Sequence, residues 1–156
     1  MARLGEICTA LGYDDVWTYI NSGNVVFSAA GSRSSIEHAM ASALEDAFGF
    51  EVTTFVRTAA ELRAVLRVEP FVVGEGDTYF ITFLKAPLLA ATAKALEAAS
   101  NDFDTLVVHG RDVHWRMRGK STDTKVTRAT WNLVGANAST SRNMNMLRKL
   151  QAKIDC

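Results

Sequence analysis

Gly74-Glu75-Gly76-Asp77-Thr78-Tyr79-Phe80-Ile81-Thr82-Phe83-Leu84 is the stretch that decides the fold. Its first four residues are the clearest internal punctuation in the chain, because two glycines and two acids favour a turn over any regular element. The seven that follow are aromatic, β-branched or aliphatic throughout, which predicts a strand over Thr78 to Leu84. Tyr79, Ile81 and Phe83 alternate with Phe80 and Thr82, so both faces of that strand are expected to be buried.

On the N-terminal side, Leu4, Ile7, Cys8 and Leu11 recur at helical spacing, with Gly12 placed as a C-terminal cap. Val16 to Ile20 and Val25 to Ser28 read as a hairpin about Asn21-Ser22-Gly23-Asn24, since Asn and Gly tolerate the positive φ of tight turns. Ser34 or Ser35 is placed to cap a helix carrying Ile36, Met40, Leu44 and Phe48, closed by Gly49. Val52 to Arg57 reads as a strand. Thr58-Ala59-Ala60-Glu61 has capping-box spacing before a short helix with Leu62, Val65 and Leu66.

On the C-terminal side, Pro87 can open a helix through Ala98. Asp104 to His109 and Val113 to Arg118 form a second hairpin around Gly110-Arg111-Asp112. A helix is predicted from about Thr122 to Val134, ended by Gly135. Ser139 or Ser141 is placed to cap a last amphipathic helix with Met144, Leu147 and Leu150. The order α-β-β-α-β-α, then β-α-β-β-α-α, predicts an α+β chain built as two ferredoxin-like halves packed together. The first half lacks its opening strand. The expected organisation is one domain over residues 1–156, with sub-lobes 1–73 and 78–156.

At 156 residues the chain can bury one real core. Its 48% hydrophobic and 22% charged composition is that of a globular protein rather than a disordered or fibrous one. No apolar run reaches the roughly 18–20 residues that span a bilayer, and no basic start precedes an apolar core as in a signal peptide. Two cysteines, Cys8 and Cys156, make no disulfide framework, so the expected compartment is the reducing cytoplasm, with no membrane. Net charge is zero yet polarised: residues 1–110 hold 7 Lys/Arg against 14 Asp/Glu, and residues 111–156 hold 10 against 3. Either the oppositely charged parts neutralise one another, or the C-terminal third builds an anion-binding face.

Leu11-Gly12-Tyr13-Asp14-Asp15-Val16-Trp17-Thr18-Tyr19-Ile20-Asn21-Ser22-Gly23-Asn24-Val25-Val26-Phe27 resembles the "LGF-x-x-V-x-TYI-x-SGNV-x-F" signature of the domain-of-unknown-function family 1697. Ala138-Ser139-Thr140-Ser141-Arg142-Asn143-Met144-Asn145-Met146-Leu147-Arg148-Lys149-Leu150 resembles that family's closing "T-x-RN-x-N-T-x-x-KL" helix, with Met144 and Met146 in place of its usual Trp and Thr. The resemblance implies a fold and carries no established reaction. It also implies a strand and Gly-rich loop ahead of the first helix, so Met1 is expected to be an internal start, or the gap to be filled by another segment or chain.

The residues singled out for ligand binding are Asn21, Ser22, Asn24, Lys120, Arg142 and Asn143. The Asn-rich turn offers amides and a hydroxyl at a loop tip. Arg142 and Asn143 are expected in the first turn of the last helix, where free amides and a guanidinium fork suit a phosphate or carboxylate. Gly119-Lys120-Ser121 is not the end of a P-loop, because position 114, where that motif needs glycine, is His. A two-residue turn of Arg111 and Asp112 would set His109 and His114 facing each other across the hairpin, whereas a three-residue turn would put them out of register; either way, two His without a third ligand make a poor zinc site. No metal and no cofactor are expected. Catalytic residues are unassigned, and the sequence does not decide whether any reaction is catalysed. The leading expectation is a small anionic ligand, such as a phosphorylated metabolite or nucleotide. The alternatives are a nucleic-acid module using the basic C-terminal third, disfavoured by zero net charge and the lack of an RNA-binding signature, and a homodimer formed through the incomplete sheet.

Overall fold

The computed structural model describes residues 2–19, 23–135 and 138–156. The chain divides into two compact units, Met1–Arg57 and Thr58–Cys156. The division therefore falls earlier than the sub-lobe boundary expected near residue 73, and Gly74–Asp77 is a turn inside the second unit. The reason is helical: the helix after Thr58 packs against the C-terminal helix of the same unit.

The first unit holds α1 (Ala2–Ala10), β1 (Asp14–Tyr19), β2 (Asn24–Ser28) and α2 (Arg33–Phe48). β1 and β2 form a two-stranded antiparallel sheet. Gly12, at φ 86°, turns the chain out of α1 as a residue without Cβ can. Ser32 caps α2 through its hydroxyl, ahead of the expected Ser34 or Ser35, while Gly49 closes it in the left-handed region as expected. Cys8, Met40 and Leu44 are the buried centre of a small core that also gathers Val25 and Phe27. Val52 to Arg57 belongs to neither sheet. Its β-branched and aromatic residues give it the propensity of a strand, but a strand in a sheet also needs a ladder neighbour.

The second unit holds α3 (Ala59–Arg67), β3 (Thr78–Leu84), α4 (Ala90–Glu97), β4 (Asp104–His109), β5 (Asp112–Met117), α5 (Arg128–Trp131), β6 (Ser139–Asn143) and α6 (Met144–Ile154). Its four strands lie in the order β4-β5-β3-β6, every neighbouring pair antiparallel. β3, the most apolar strand, takes a central position between β5 and β6, and Ile81 has no exposed surface. Phe80 and Leu84 face a core with Leu96, Leu106, Val113, Trp115, Met117 and Val126. Tyr79, Ile81 and Phe83 point to the other face by the two-residue period of a strand. α6 packs against β3, and its Arg148 lies close enough to act on the Tyr79 phenol, which puts α6 on the Tyr79 face.

The Thr58 hydroxyl accepts from the Glu61 amide and the Glu61 carboxylate accepts from the Thr58 amide, so the capping box is complete. The same carboxylate takes the Arg111 guanidinium and ties α3 to the β4–β5 turn. Thr58→Ala is expected to cost about 1 kcal/mol in urea unfolding, the usual cost of a lost cap. Glu61→Ala is expected to cost more, because it also removes the ion pair with Arg111.

Three other expectations are corrected here. The helix from Pro87 begins only at Ala90. The long helix from Thr122 is instead a 3-10 turn at Ser121–Asp123, the short α5 and a second 3-10 turn at Asn132–Val134. Between the first turn and α5, the amide of Lys125 and the hydroxyl of Thr124 are committed to the buried Asp104 carboxylate, which interrupts an i to i−4 ladder. Finally, Ser139–Asn143 is a strand on the outer edge of β3, and the cap of the last helix is Asn143, whose Oδ1 accepts from the Asn145 amide. Ladder bonds to β3 outweigh the weak strand propensity of a Ser- and Asn-rich segment.

Candidate functional site

Arg142 is thus in β6, not in the first turn of a helix. Successive strand residues point to opposite faces, so Arg142 and Asn143 do not converge. Arg142 stands opposite Ile81 on the Tyr79 face, and Asn143 stands opposite Phe80 on the other. The Arg142 guanidinium donates to Thr140 Oγ1 at 2.7 Å and to the Ser141 carbonyl at 2.9 Å. Burial pulls its pKa below the ordinary value. Lys120 is exposed just past β5, at the sheet end shared with the N-terminus of β3, where Thr78 donates to the Gly119 carbonyl at 2.7 Å. Asn143, paired with Phe80, lies toward that same end. Asn24 belongs to the first unit, and its amide donates to the Tyr19 carbonyl at 3.1 Å, as a hairpin turn residue does. Asn21 and Ser22 lie outside the described residues.

The polarised charge is partly neutralised within the second unit. Arg111 pairs with Glu61, Arg118 with Asp77 at 3.2 Å, and Lys125 with Asp102 at 2.6 Å, each a basic residue of the last third on an acid from earlier in the chain. The exposed Lys125–Asp102 pair contributes little stability, but all three pairs withdraw their cations from an open anion-binding face.

The most developed polar cluster is on the Tyr79 face. The turn between β4 and β5 is Gly110-Arg111, so His109 pairs with Asp112 and His114 pairs with Val107. His109 and His114 are therefore not directly opposite, as a turn of Arg111 and Asp112 would have made them. They meet diagonally on one face, ring centroids 6.5 Å apart and edge to face. His114 has no exposed surface, and its Nδ1 is hydrogen-bonded to the Tyr79 hydroxyl. Burial, then the neighbouring His109, pushes the His114 pKa down to about 4. Burial pushes the Tyr79 phenol up to about 12, against the opposing pull of Arg148. Both groups are consequently neutral near pH 7.

Across this face the register runs Val107, His114, Ile81, Arg142 from one sheet edge to the other. One step along, Thr105, Arg116 and Tyr79 form a parallel row. Sequence reasoning passes over Tyr79 as a partner of His114 and over Arg116 altogether. The signal for them is the alternation in Asp112-Val113-His114-Trp115-Arg116-Met117, polar on one face and apolar on the other.

A mixed α+β chain with two antiparallel sheets is the class that this architecture defines. The model of the family described as "Protein of unknown function (DUF1697)" matches residues 1–114, and the chain belongs to that family. Among solved structures, the conserved bacterial protein SP0830 from Streptococcus pneumoniae is similar in fold, with a TM-score of 0.75 at 18% identity over 100% of this chain and 89% of that one. No curated protein matches. Among the described residues, no helix is long and apolar enough to cross a membrane.

Proposed function

We propose that the chain binds a small anionic molecule, such as a phosphorylated metabolite or a nucleotide, through the second unit. The observation that carries this reading is Arg142, a half-buried guanidinium on the sheet face whose pKa is lowered by burial. A cation taken partly out of water is stabilised by an anion beside it far more than an exposed one is. Lys120 adds an exposed positive charge toward one end of the sheet, while Asn143, on the opposite face from Arg142, is not part of this reading. The β-α-β-β-α-β succession from β3 to β6, with strand order β4-β5-β3-β6, supports reading this unit as ferredoxin-like.

A thermal-shift screen of phosphorylated metabolites and nucleotides tests the reading. At least one compound is expected to raise the melting temperature of the wild type and to lose most of that effect in Arg142→Ala. Equal shifts in both proteins would remove Arg142 from the site, and no shift from any compound would count against anion binding.

A further inference from the structure

We propose that the outer face of the α3–α6 helix pair is a nucleic-acid docking surface, on which Arg67, Arg148 and Lys149 hold the phosphate backbone. None of these residues belongs to the small-anion site, so the surface goes beyond that reading.

α3 and α6 pack together. Near the start of α3, Arg63 meets Asp155 at the end of α6 at 3.1 Å. Just past the other end of α3, Glu69 acts on the Tyr79 phenol, as does Arg148 of α6. The two helices therefore run antiparallel, and Arg67 lies toward the Arg148 end. Each helix turns an apolar stripe inward, with Leu62 and Val65 on α3 and Leu147 and Leu150 on α6. On α3 the exposed stripe is Ala60, Ala64 and Arg67. On α6 it is Asn145, Arg148, Lys149, Ala152 and Lys153. Neither stripe carries an acid. Packed helices lie about 8–10 Å apart and four residues of helix rise about 6 Å, so these cations share one small patch.

Among the described residues, Arg67, Arg148 and Lys149 have no carboxylate at ion-pair distance, in contrast to Arg63, Arg111, Arg118 and Lys125. They are the share of the polarised charge that acids from earlier in the chain leave in place. Charge complementarity selects a polyanion for such a face, whatever the net charge of the chain. A membrane is the poorer match. The stripes hold no apolar residue larger than Ala to enter a bilayer interface. The exposed Val72 and Val73 are flanked by Glu69 and Glu75, which an anionic lipid surface repels. A nucleic acid needs no apolar anchor, because release of counterions from its phosphates drives binding. Neither stripe offers an aromatic ring to stack a base, so the feature recognised is the backbone rather than the sequence.

Fluorescence anisotropy of a labelled mixed-sequence duplex, as DNA in one series and as RNA in another, tests the surface. Binding is expected at about 50 mM salt, and for DNA it is expected to weaken about 40-fold by about 200 mM, the loss that three neutralised phosphates produce. Lys149→Glu is expected to lower affinity about tenfold or more at the lower salt. Lys94→Glu makes the same charge change at an exposed position of α4, whose Leu96 packs on the opposite face of the sheet with Leu84 and Trp115. It is expected to leave affinity within about twofold, because exposed charges beyond a Debye length are screened. Both variants are expected to unfold in urea as the wild type does, since neither side chain is buried. No binding of either duplex at the lower salt would overturn the proposal. Equal losses in the two variants would also overturn it, by reducing the effect to net charge. So would binding to phosphatidylglycerol vesicles with neither duplex bound, which would make the face a membrane contact.

Discussion

Asp104→Ala is expected to be among the most damaging single substitutions in the second unit, lowering its stability by about 4 kcal/mol. Asp104 has no exposed surface. Its Oδ1 accepts from Trp115 Nε1 at 2.9 Å and from the Thr124 hydroxyl at 2.5 Å. Its Oδ2 accepts from the Lys125 amide at 2.9 Å and from Asn101 Nδ2 at 3.1 Å. Burial acts to raise the carboxyl's pKa, but the hydrogen bonds from Thr124, Trp115, Lys125 and Asn101 outweigh it and the pKa lies below its usual value. Truncation leaves these donors facing a void, and an unmet buried donor costs about 1–3 kcal/mol. Asp104→Asn is expected to be milder, because one oxygen remains, yet still destabilising, because its NH2 faces donors. A carboxyl with a depressed folded pKa contributes stability above the unfolded value and loses it as pH falls further. The Asp104 contribution is therefore expected to begin to decline below about pH 4 and to be lost as pH falls through the lower folded pKa. Urea unfolding of wild type and both variants measures this. A loss under 1 kcal/mol in Asp104→Ala would show that the network does not hold the 121–127 segment.

The second large effect belongs to His114. Its pKa is about 4 when folded against an ordinary 6.5. Between those values the unfolded chain binds more protons than the folded one, so stability is fully present above pH 6.5 and is lost as pH falls toward 4. The difference corresponds to about 3 kcal/mol. His114→Phe keeps a buried ring and gives up both the Tyr79 hydrogen bond and the titration. The variant is expected to be less stable than wild type at pH 7.5 and to show a much shallower decline from pH 6.5 to 4. Parallel declines in the two proteins would place the acid sensitivity elsewhere. This window lies above that of Asp104, so the two effects separate on one pH series.

The fold was most legible where pattern and punctuation agree. β3 and β4 have the bounds read from Thr78 to Leu84 and from Asp104 to His109, because alternating apolar residues lie between strong turn signals. The capping box at Thr58 needs only local geometry, and it formed. Reading failed where a distant group decides local structure. Nothing in residues 121–134 announces that a carboxylate on another strand will take the Thr124 and Lys125 donors. Ser139–Asn143 has too little strand character to reveal that it completes the edge of β3. That one change moves Arg142 from a helix entrance to a sheet face and separates it from Asn143. His114 was visible as a residue, but its bond to Tyr79 and its place beside Arg116 depend on sheet register. Register follows from a turn that the sequence left between two choices.

The claim on which the polar cluster most depends is that the buried Tyr79–His114 pair is neutral near pH 7. A pH series of histidine ring nitrogen spectra from pH 8 to 3.5 tests it directly. The His114 ring is expected to stay neutral through pH 6.5 and to take up a proton only near pH 4. A His114 resonance that titrates near pH 6.5 would contradict it.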